Sequence, residues 1–285
     1  MKKIELFTKI FLDGADPQES KEAKNLMGFL DGQTTNPTLL TKNPEIQKTI
    51  EKGEKFPEEE LYTFYKKVIN GISGVTAGPV SVEVYADKFT KAEEMLKQAR
   101  EMVKWIPNAY IKLPITNEGL KAANLAVREG IPVNMTLCFS QEQAAAVYAA
   151  TKGTKRPVFI SPFVGRLDDR EENGMDLVKN ILHMYEKGDG HVFPLAASVR
   201  SLNHFLFTIK LSCPSVTVPF KVIKEWVDKE FILPDQNFVY QSENLASIPY
   251  EDISLDKNWQ SYDIHHSLTD TGLEKFSIDW KAVIK

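Results

Sequence analysis

Residues 110–139 read YIKLPITNEGLKAANLAVREGIPVNMTLCF, and this stretch decides the fold class. Residues 110–113 and 133–139 are short runs of β-forming residues, while 117–129, opened by Thr116, has a helix-like pattern. A strand, a crossover helix and a second strand are therefore predicted in succession. The same unit recurs outward in both directions. Further β-rich runs lie at 9–13, 33–35, 80–85, 158–164, 192–197 and 215–218, and helix-like stretches at 88–105, 141–151, 172–185, 202–211 and 220–230. Alternation of this kind calls for a parallel sheet with right-handed crossovers, and eight units favour an α/β fold closed into a (β/α)8 TIM barrel. No GxGxxG or GxxxxGK[ST] follows any of these strands, which weakens a doubly wound nucleotide-binding sheet.

The length of 285 residues suits one such barrel, so a single domain is expected. The barrel is expected over about residues 4–230 and a helical tail over about 231–285. Residues 42–78 hold two helices, 45–52 and 57–70, read as an insertion outside the barrel after the second strand; the tail closes with a helix over 272–283. An apolar fraction of 42% and a charged fraction of 26% are ordinary for a globular protein. A formal net charge of −4 with mixed signs offers no basic face, which argues against nucleic acid or an anionic membrane surface as partners. The first residues, MKKIELFTKIFLDGADP, contain no apolar run of signal-peptide length, so a cytoplasmic location is expected. Cys138 and Cys213 sit in apolar stretches and read as buried thiols. His265 and His266 are adjacent, HExxH and CxxC are absent, and the histidines read as structural or surface residues; neither metal nor cofactor is expected.

In a barrel, every second strand residue faces inward, and those near the C-terminal strand ends line the catalytic mouth. Lys112 lies in the otherwise apolar AYIKLP strand, where loss of water favours the uncharged amine that attacks a ketone. A lysine snorkelling outward from a strand end is the competing reading. Other strands bring company: Asp13 ends the first, Asn36 follows the second, and Glu83 lies inside the third. Asn134 and Thr136 share a face of the fifth, and Ser161 and Phe163 share a face of the sixth. Read singly, Asp13 before Gly14 and Asn36 before Pro37 also fit turn residues, and Asn134 and Thr136 also fit hydrogen-bonded core polar groups. Together they make the inventory of a metal-free aldol enzyme that works through a carbinolamine. Arg166 and Arg200, which follow the sixth and seventh strands, suit a phosphate site helped by backbone N–H groups at a helix start and by Ser198; surface salt bridges are the alternative.

The blocks DGQTTNPTLL, SVEVYAD, YIKLPIT with GLKAA, IPVNMTLCFS, ISPFVGRLDD, LAASVRS and VTVPFKVIKE, in that order, resemble the transaldolase family. The resemblance implies a (β/α)8 barrel with Lys112 as the Schiff-base lysine on the fourth strand. It also implies that Asp13 removes the C4 hydroxyl proton, and that Glu83 exchanges protons through a water held by Thr136. Asn36, Asn134 and Ser161 would hold hydroxyls of the dihydroxyacetone unit, with Phe163 in the same wall, while Arg166, Ser198 and Arg200 would hold the sugar phosphate. The implied partners are sugar-phosphate substrates: sedoheptulose 7-phosphate with glyceraldehyde 3-phosphate, and fructose 6-phosphate with erythrose 4-phosphate, placing the chain in the pentose phosphate pathway. Val199 and Ser201 depart from the family's aromatic and asparagine, and the tail after Phe231 matches loosely. The oligomeric state stays open, a homo-oligomer included. Two rivals remain. One is an enzyme similar to fructose-6-phosphate aldolase, a group that carries Gln at the position of Glu83 and Tyr at that of Phe163. The other is a non-catalytic sugar-phosphate-binding barrel.

Overall fold

The computed structural model of the chain describes residues 6–242 and 244–285. Its elements run β1 Lys9–Asp13, α1 Pro17–Met27, β2 Gly32–Thr34, α2 Pro37–Thr41, α3 Pro44–Glu51, α4 Glu58–Ser73, β3 Val80–Glu83 and α5 Ala92–Met102. They continue with β4 Ala109–Pro114, α6 Asn117–Arg128, β5 Val133–Cys138, α7 Gln141–Ala150, β6 Val158–Pro162, α8 Val164–Asp168 and α9 Gly174–Tyr185. Last come β7 Val192–Ala196, α10 Leu202–Lys210, β8 Ser215–Val218, α11 Phe220–Asp228, a 3-10 turn at Trp259–Ser261 and α12 Ser267–Ala282. The strands pair in parallel in chain order, and β8 returns to β1 with Ile10 opposite Val216 and Leu12 opposite Val218. This is the (β/α)8 barrel.

Alternation along the strands sorts the side chains into two populations. Ile10, Leu12, Val80, Val82, Ile111, Leu113, Val133 and Met135 are buried among the hydrophobic residues of the surrounding helices. Phe11, Phe159 and Leu195, with Tyr110 and Phe193 against them, form a separate cluster. Phe11 and Phe159 meet edge to face at 5.7 Å, and Tyr110 lies 4.9 Å from Phe159. These aromatic residues plug the N-terminal half of the barrel. A fully buried Phe or Leu contributes about 1.5–3 kcal/mol, so base and ring supply the stability while the C-terminal half carries polar groups that cost it.

Several helices begin where the sequence offers caps. Asp16 accepts from Gln18 N–H before Pro17 opens α1, Thr116 accepts from Gly119 N–H before α6, and Ser140 and Ser201 cap α7 and α10. Of the two helices expected after β2 in an insertion outside the barrel, 45–52 is present as α3 and 57–70 as α4, and the short α2 before them was not foreseen. α4, whose Leu61, Tyr65, Val68, Ile69 and Ile72 are all buried, packs on α1 and β3 as a member of the helical ring. β3 stops at Glu83 because Tyr85 turns its backbone N–H and C=O to the Gln98 side chain. The tail helix starts at Ser267 rather than 272, since His266 Nδ1 caps it by accepting Leu268 N–H. Gly272 thus lies inside α12, where a Cβ would meet Arg166 Nη1 at 2.6 Å and a Leu137 methyl at 2.7 Å.

α12 is bolted to the barrel beside the mouth. Leu137 takes a left-handed φ of 62° at a register break between β5 and β6. Its freed carbonyl accepts Thr269 Oγ1 at 3.0 Å, and Gln143 donates to that same hydroxyl. Cys138 and Cys213 are free and buried, and burial pushes both thiols up to about 12. No helix among the described residues is long and apolar enough to cross a membrane.

Candidate active site

Strand register assembles the polar layer. Glu83 on β3 pairs with Lys112 on β4, which pairs with Asn134 on β5, so the three side chains share one row facing the barrel axis. Lys112 is 3% exposed and Glu83 5%. Lys112 Nζ lies 2.9 Å from Glu83 Oε2 in a buried ion pair, and Nζ also donates to the Thr35 carbonyl at 3.1 Å. The amine therefore points inward, and the snorkelling alternative does not hold. Asn134 spans β4 by donating to Ser81 Oγ at 2.9 Å and accepting from Ser161 Oγ at 2.8 Å. That chain ties β3, β5 and β6 together around the lysine.

Asp13 reaches the same layer from β1. Its carboxylate accepts Thr34 Oγ1 at 2.7 Å, and Thr34 Oγ1 is 2.6 Å from Thr217 Oγ1 on β8. Burial raises the Asp13 carboxyl above its ordinary range, opposed by the positive charge of Lys112 and the Thr34 hydrogen bond. Burial likewise raises Glu83, again opposed by Lys112. Two acids held toward their protonated forms beside an amine can pass protons to and from a reacting carbonyl. Asn36 serves two purposes: its Oδ1 caps α2 by accepting Leu39 N–H at 2.9 Å, and the residue lines the mouth.

Above this layer opens a cavity of about 270 Å³ lined by Asp13, Asn36, Lys112, Ser161, Phe163, Arg166, Ser198 and Arg200 among others. Arg166 sits 5.5 Å from the ring centres of both Phe163 and Phe276, so two aromatic faces hold its guanidinium. Burial and then the charge of Arg200 push Arg166 below its usual value, yet a guanidinium stays charged throughout the working range. Arg200 reaches the rim, half exposed, and donates to both carboxylate oxygens of Asp169 at 2.8 and 3.3 Å. The backbone help expected from a helix start is absent from the first two amides of α8: Val164 N–H bonds Ala197 O, and Gly165 N–H bonds Ser198 O.

Gly165 makes this loop contact feasible. A Cβ there would lie 2.4 Å from Ser198 O and 2.5 Å from Arg200 Cγ. Gly165→Ala is expected to destabilise the fold by about 1–3 kcal/mol and to displace Arg200; a Tm unchanged from the parent in thermal unfolding would refute this.

Of the candidates named from sequence, eight line the cavity, while Glu83 and Asn134 lie behind it in contact with Lys112 and Ser161. Thr136 is fully buried on β5, its hydroxyl without a partner, and it neither lines the cavity nor bonds to a residue that does. The sequence reading missed Thr34, Thr217, Lys42, Lys275 and Phe276, all of which line the cavity. Thr34 and Thr217 could have been found by counting inward positions on β2 and β8. Phe276 and Lys275 arrive from α12, a placement that carries no local signal. No three His, Cys, Asp or Glu side chains converge as metal ligands among the described residues.

Residues 10–285 match the family described as "Transaldolase/Fructose-6-phosphate aldolase", a span that includes the tail where the motif resemblance is loosest. A protein named "Probable transaldolase" from Methanococcus vannielii is 36% identical over 277 residues, covering 97% of this chain and 99% of that relative. Another of the same name, from Alkaliphilus metalliredigens, is 34% identical over 277 residues, covering 97% of this chain and 100% of its own length. A third, from Caldicellulosiruptor saccharolyticus, is 34% identical over 278 residues, covering 97% and 99%. With a buried lysine paired to Glu83 at the C-terminal mouth of a (β/α)8 barrel, and a match over nearly its whole length, the chain belongs to the transaldolase/fructose-6-phosphate aldolase family.

Proposed function

We propose that this protein is a transaldolase: it moves a dihydroxyacetone unit from a ketose phosphate to an aldose phosphate through a Schiff base on Lys112. The observation that carries the reading is the desolvated Lys112–Glu83 pair, with Asp13 facing the same cavity. Sedoheptulose 7-phosphate or fructose 6-phosphate is the donor, and glyceraldehyde 3-phosphate or erythrose 4-phosphate the acceptor, which places the reaction in the pentose phosphate pathway in the cytoplasm.

The steps follow from the groups present. Lys112 Nζ passes a proton to the Glu83 carboxylate 2.9 Å away and attacks the C2 carbonyl, and the nitrogen's remaining extra proton moves to the new C2 oxygen, giving the carbinolamine. Glu83, whose carboxyl is raised by burial, protonates the departing C2 hydroxyl, and water leaves as the imine forms. Asp13 takes the C4 hydroxyl proton, the C3–C4 electrons pass to the imine as an enamine, and the aldose phosphate departs. The enamine then attacks the acceptor aldehyde, Asp13 returns its proton, and water releases the product. Thr136 Oγ1, buried on β5 without a hydrogen-bond partner, suits a water shared with Glu83 in the dehydration. The chain of Ser81, Asn134 and Ser161 suits the hydroxyls of the retained unit, and Arg166, Ser198 and Arg200 suit the phosphate. Retention of the enamine until an acceptor arrives needs a site closed to water; Phe276 and Lys275 of α12 form one wall of it.

The test is a coupled assay with fructose 6-phosphate as donor, run with and without erythrose 4-phosphate, following glyceraldehyde 3-phosphate. Product that depends on the acceptor is the expected result. Equal product without it identifies an aldolase releasing free dihydroxyacetone, and no product in either arm refutes the substrate assignment. In the same assay Arg200→Ala is expected to raise the KM for fructose 6-phosphate about tenfold to a hundredfold, from one lost charged hydrogen bond; an unchanged KM would remove Arg200 from the phosphate site.

A further inference from the structure

His204 and Asp168 lie outside every role given so far, yet they join the two loops that carry the arginines. His204 stands in the first turn of α10, 6% exposed, with the Tyr240 ring 5.9 Å away. Its Nδ1 accepts the backbone N–H of Arg200 at 3.2 Å. Its Nε2 lies 2.6 Å from Asp168 Oδ2. Asp168 ends α8, the helix that holds Arg166, and its second oxygen accepts Gly174 N–H at 3.0 Å at the start of α9.

These contacts define the ring's proton. An acceptor facing the Arg200 amide has no hydrogen on Nδ1, so the hydrogen sits on Nε2 against an acceptor-only carboxylate. The arrangement is directional, running from the α8 carboxylate through the imidazole to the Arg200 main chain. The loop it holds needs holding: Ser198, two residues before Arg200, has a left-handed φ of 57°, a conformation non-glycine residues avoid.

We propose that His204 is a positioning residue that, oriented by Asp168, fixes the Arg200 main chain so that Arg200 and Arg166 converge on one phosphate. The inference rests on the reading of those arginines as the phosphate arms. It assigns to the imidazole a role in phosphate affinity and none in the chemistry at Lys112.

Inorganic phosphate is the probe, titrated calorimetrically into the whole protein and its variants. His204→Ala is expected to weaken phosphate binding about tenfold or more. His204→Asn recovers most of the loss, because its Oδ1 stands where Nδ1 stood and accepts the Arg200 amide. Asp168→Asn, nearly isosteric and at a side chain still 18% exposed, weakens binding as His204→Ala does, because an amide NH2 facing Nε2 drives the ring hydrogen to Nδ1, against the Arg200 N–H. Trapping of dihydroxyacetone itself on Lys112 by borohydride stays at the parent rate in all three variants. Imidazole 15N spectra of the parent show the Nε2–H form. The proposal is overturned if His204→Asn binds as weakly as His204→Ala, if Asp168→Asn binds like the parent, if the dihydroxyacetone trapping falls in step with phosphate affinity, or if the ring hydrogen is on Nδ1. Asp168→Asn keeps the test decisive should His204→Ala not fold. Unchanged phosphate binding in Arg200→Ala is a separate outcome: it removes the phosphate reading itself, and the positioning role with it.

Discussion

Lys112→Ala is expected to leave a folded barrel without measurable turnover, a loss on the order of 10⁵-fold or more in kcat, as for removal of other covalent nucleophiles. No other described lysine takes its place: Lys42 and Lys275 line the cavity mouth, and Lys275 pairs with Asp279 there. Lys112 alone has its amine in the row with Glu83 and Asn134. The substitution also leaves the Glu83 carboxylate buried without its counter-charge, which costs about 3–5 kcal/mol if the carboxylate stays ionised. Protonation is the escape. Burial already raises Glu83, and the charge of Lys112 is the chief influence holding it down, so the variant raises it further. A carboxyl whose folded pKa exceeds its unfolded value favours the fold at acid pH, and that advantage is lost as pH rises through the folded value. The Tm gap between parent and Lys112→Ala should therefore be small near pH 5 and widen toward pH 8. A gap that narrows with rising pH, or turnover within a hundredfold of the parent, would refute the assignment.

Asp13→Asn is expected to lower kcat by about 10³–10⁴-fold, toward the upper end for loss of a general acid–base group, while sparing imine formation. Asn keeps an oxygen for the Thr34 hydroxyl, so the hydrogen bond at 2.7 Å survives, but it cannot take up the C4 hydroxyl proton. Lys112 and Glu83 are untouched, so the ketose still condenses. Borohydride should then trap the whole six-carbon ketose phosphate on the protein rather than the three-carbon unit. Accumulation of the three-carbon adduct at the parent rate would show that another group removes the proton.

The barrel was legible because parallel strands buried on both faces leave short apolar runs, and polar residues interrupt them only near the C-terminal ends. Lys112, Glu83 and Asp13 stood out for that reason. The five-residue α8 was hidden: residues 158–164 read as one strand, and Pro162 and Phe163 give no sign that the backbone turns at Val164. The start of α12 was misplaced because Gly272 resembles a helix boundary, whereas its lack of a Cβ serves close approach to Arg166. Asn36 shows the limit of residue-by-residue reading, since turn residue and site residue were weighed as alternatives, whereas the side chain both caps α2 and lines the cavity. The contacts of His204 were beyond reach, because a backbone amide as partner leaves no trace in residue type. Roles for individual side chains came from the family resemblance, not from periodicity.

Covalent chemistry at one lysine underlies every step of the transfer. The direct measurement is borohydride reduction of the protein in the presence of fructose 6-phosphate, followed by mass spectrometry of its peptides. A Schiff base on Lys112 requires a reduced three-carbon dihydroxyacetone unit on that residue alone, removable by adding erythrose 4-phosphate before the reductant. An active protein that yields no adduct, or yields it on a different lysine, would contradict it.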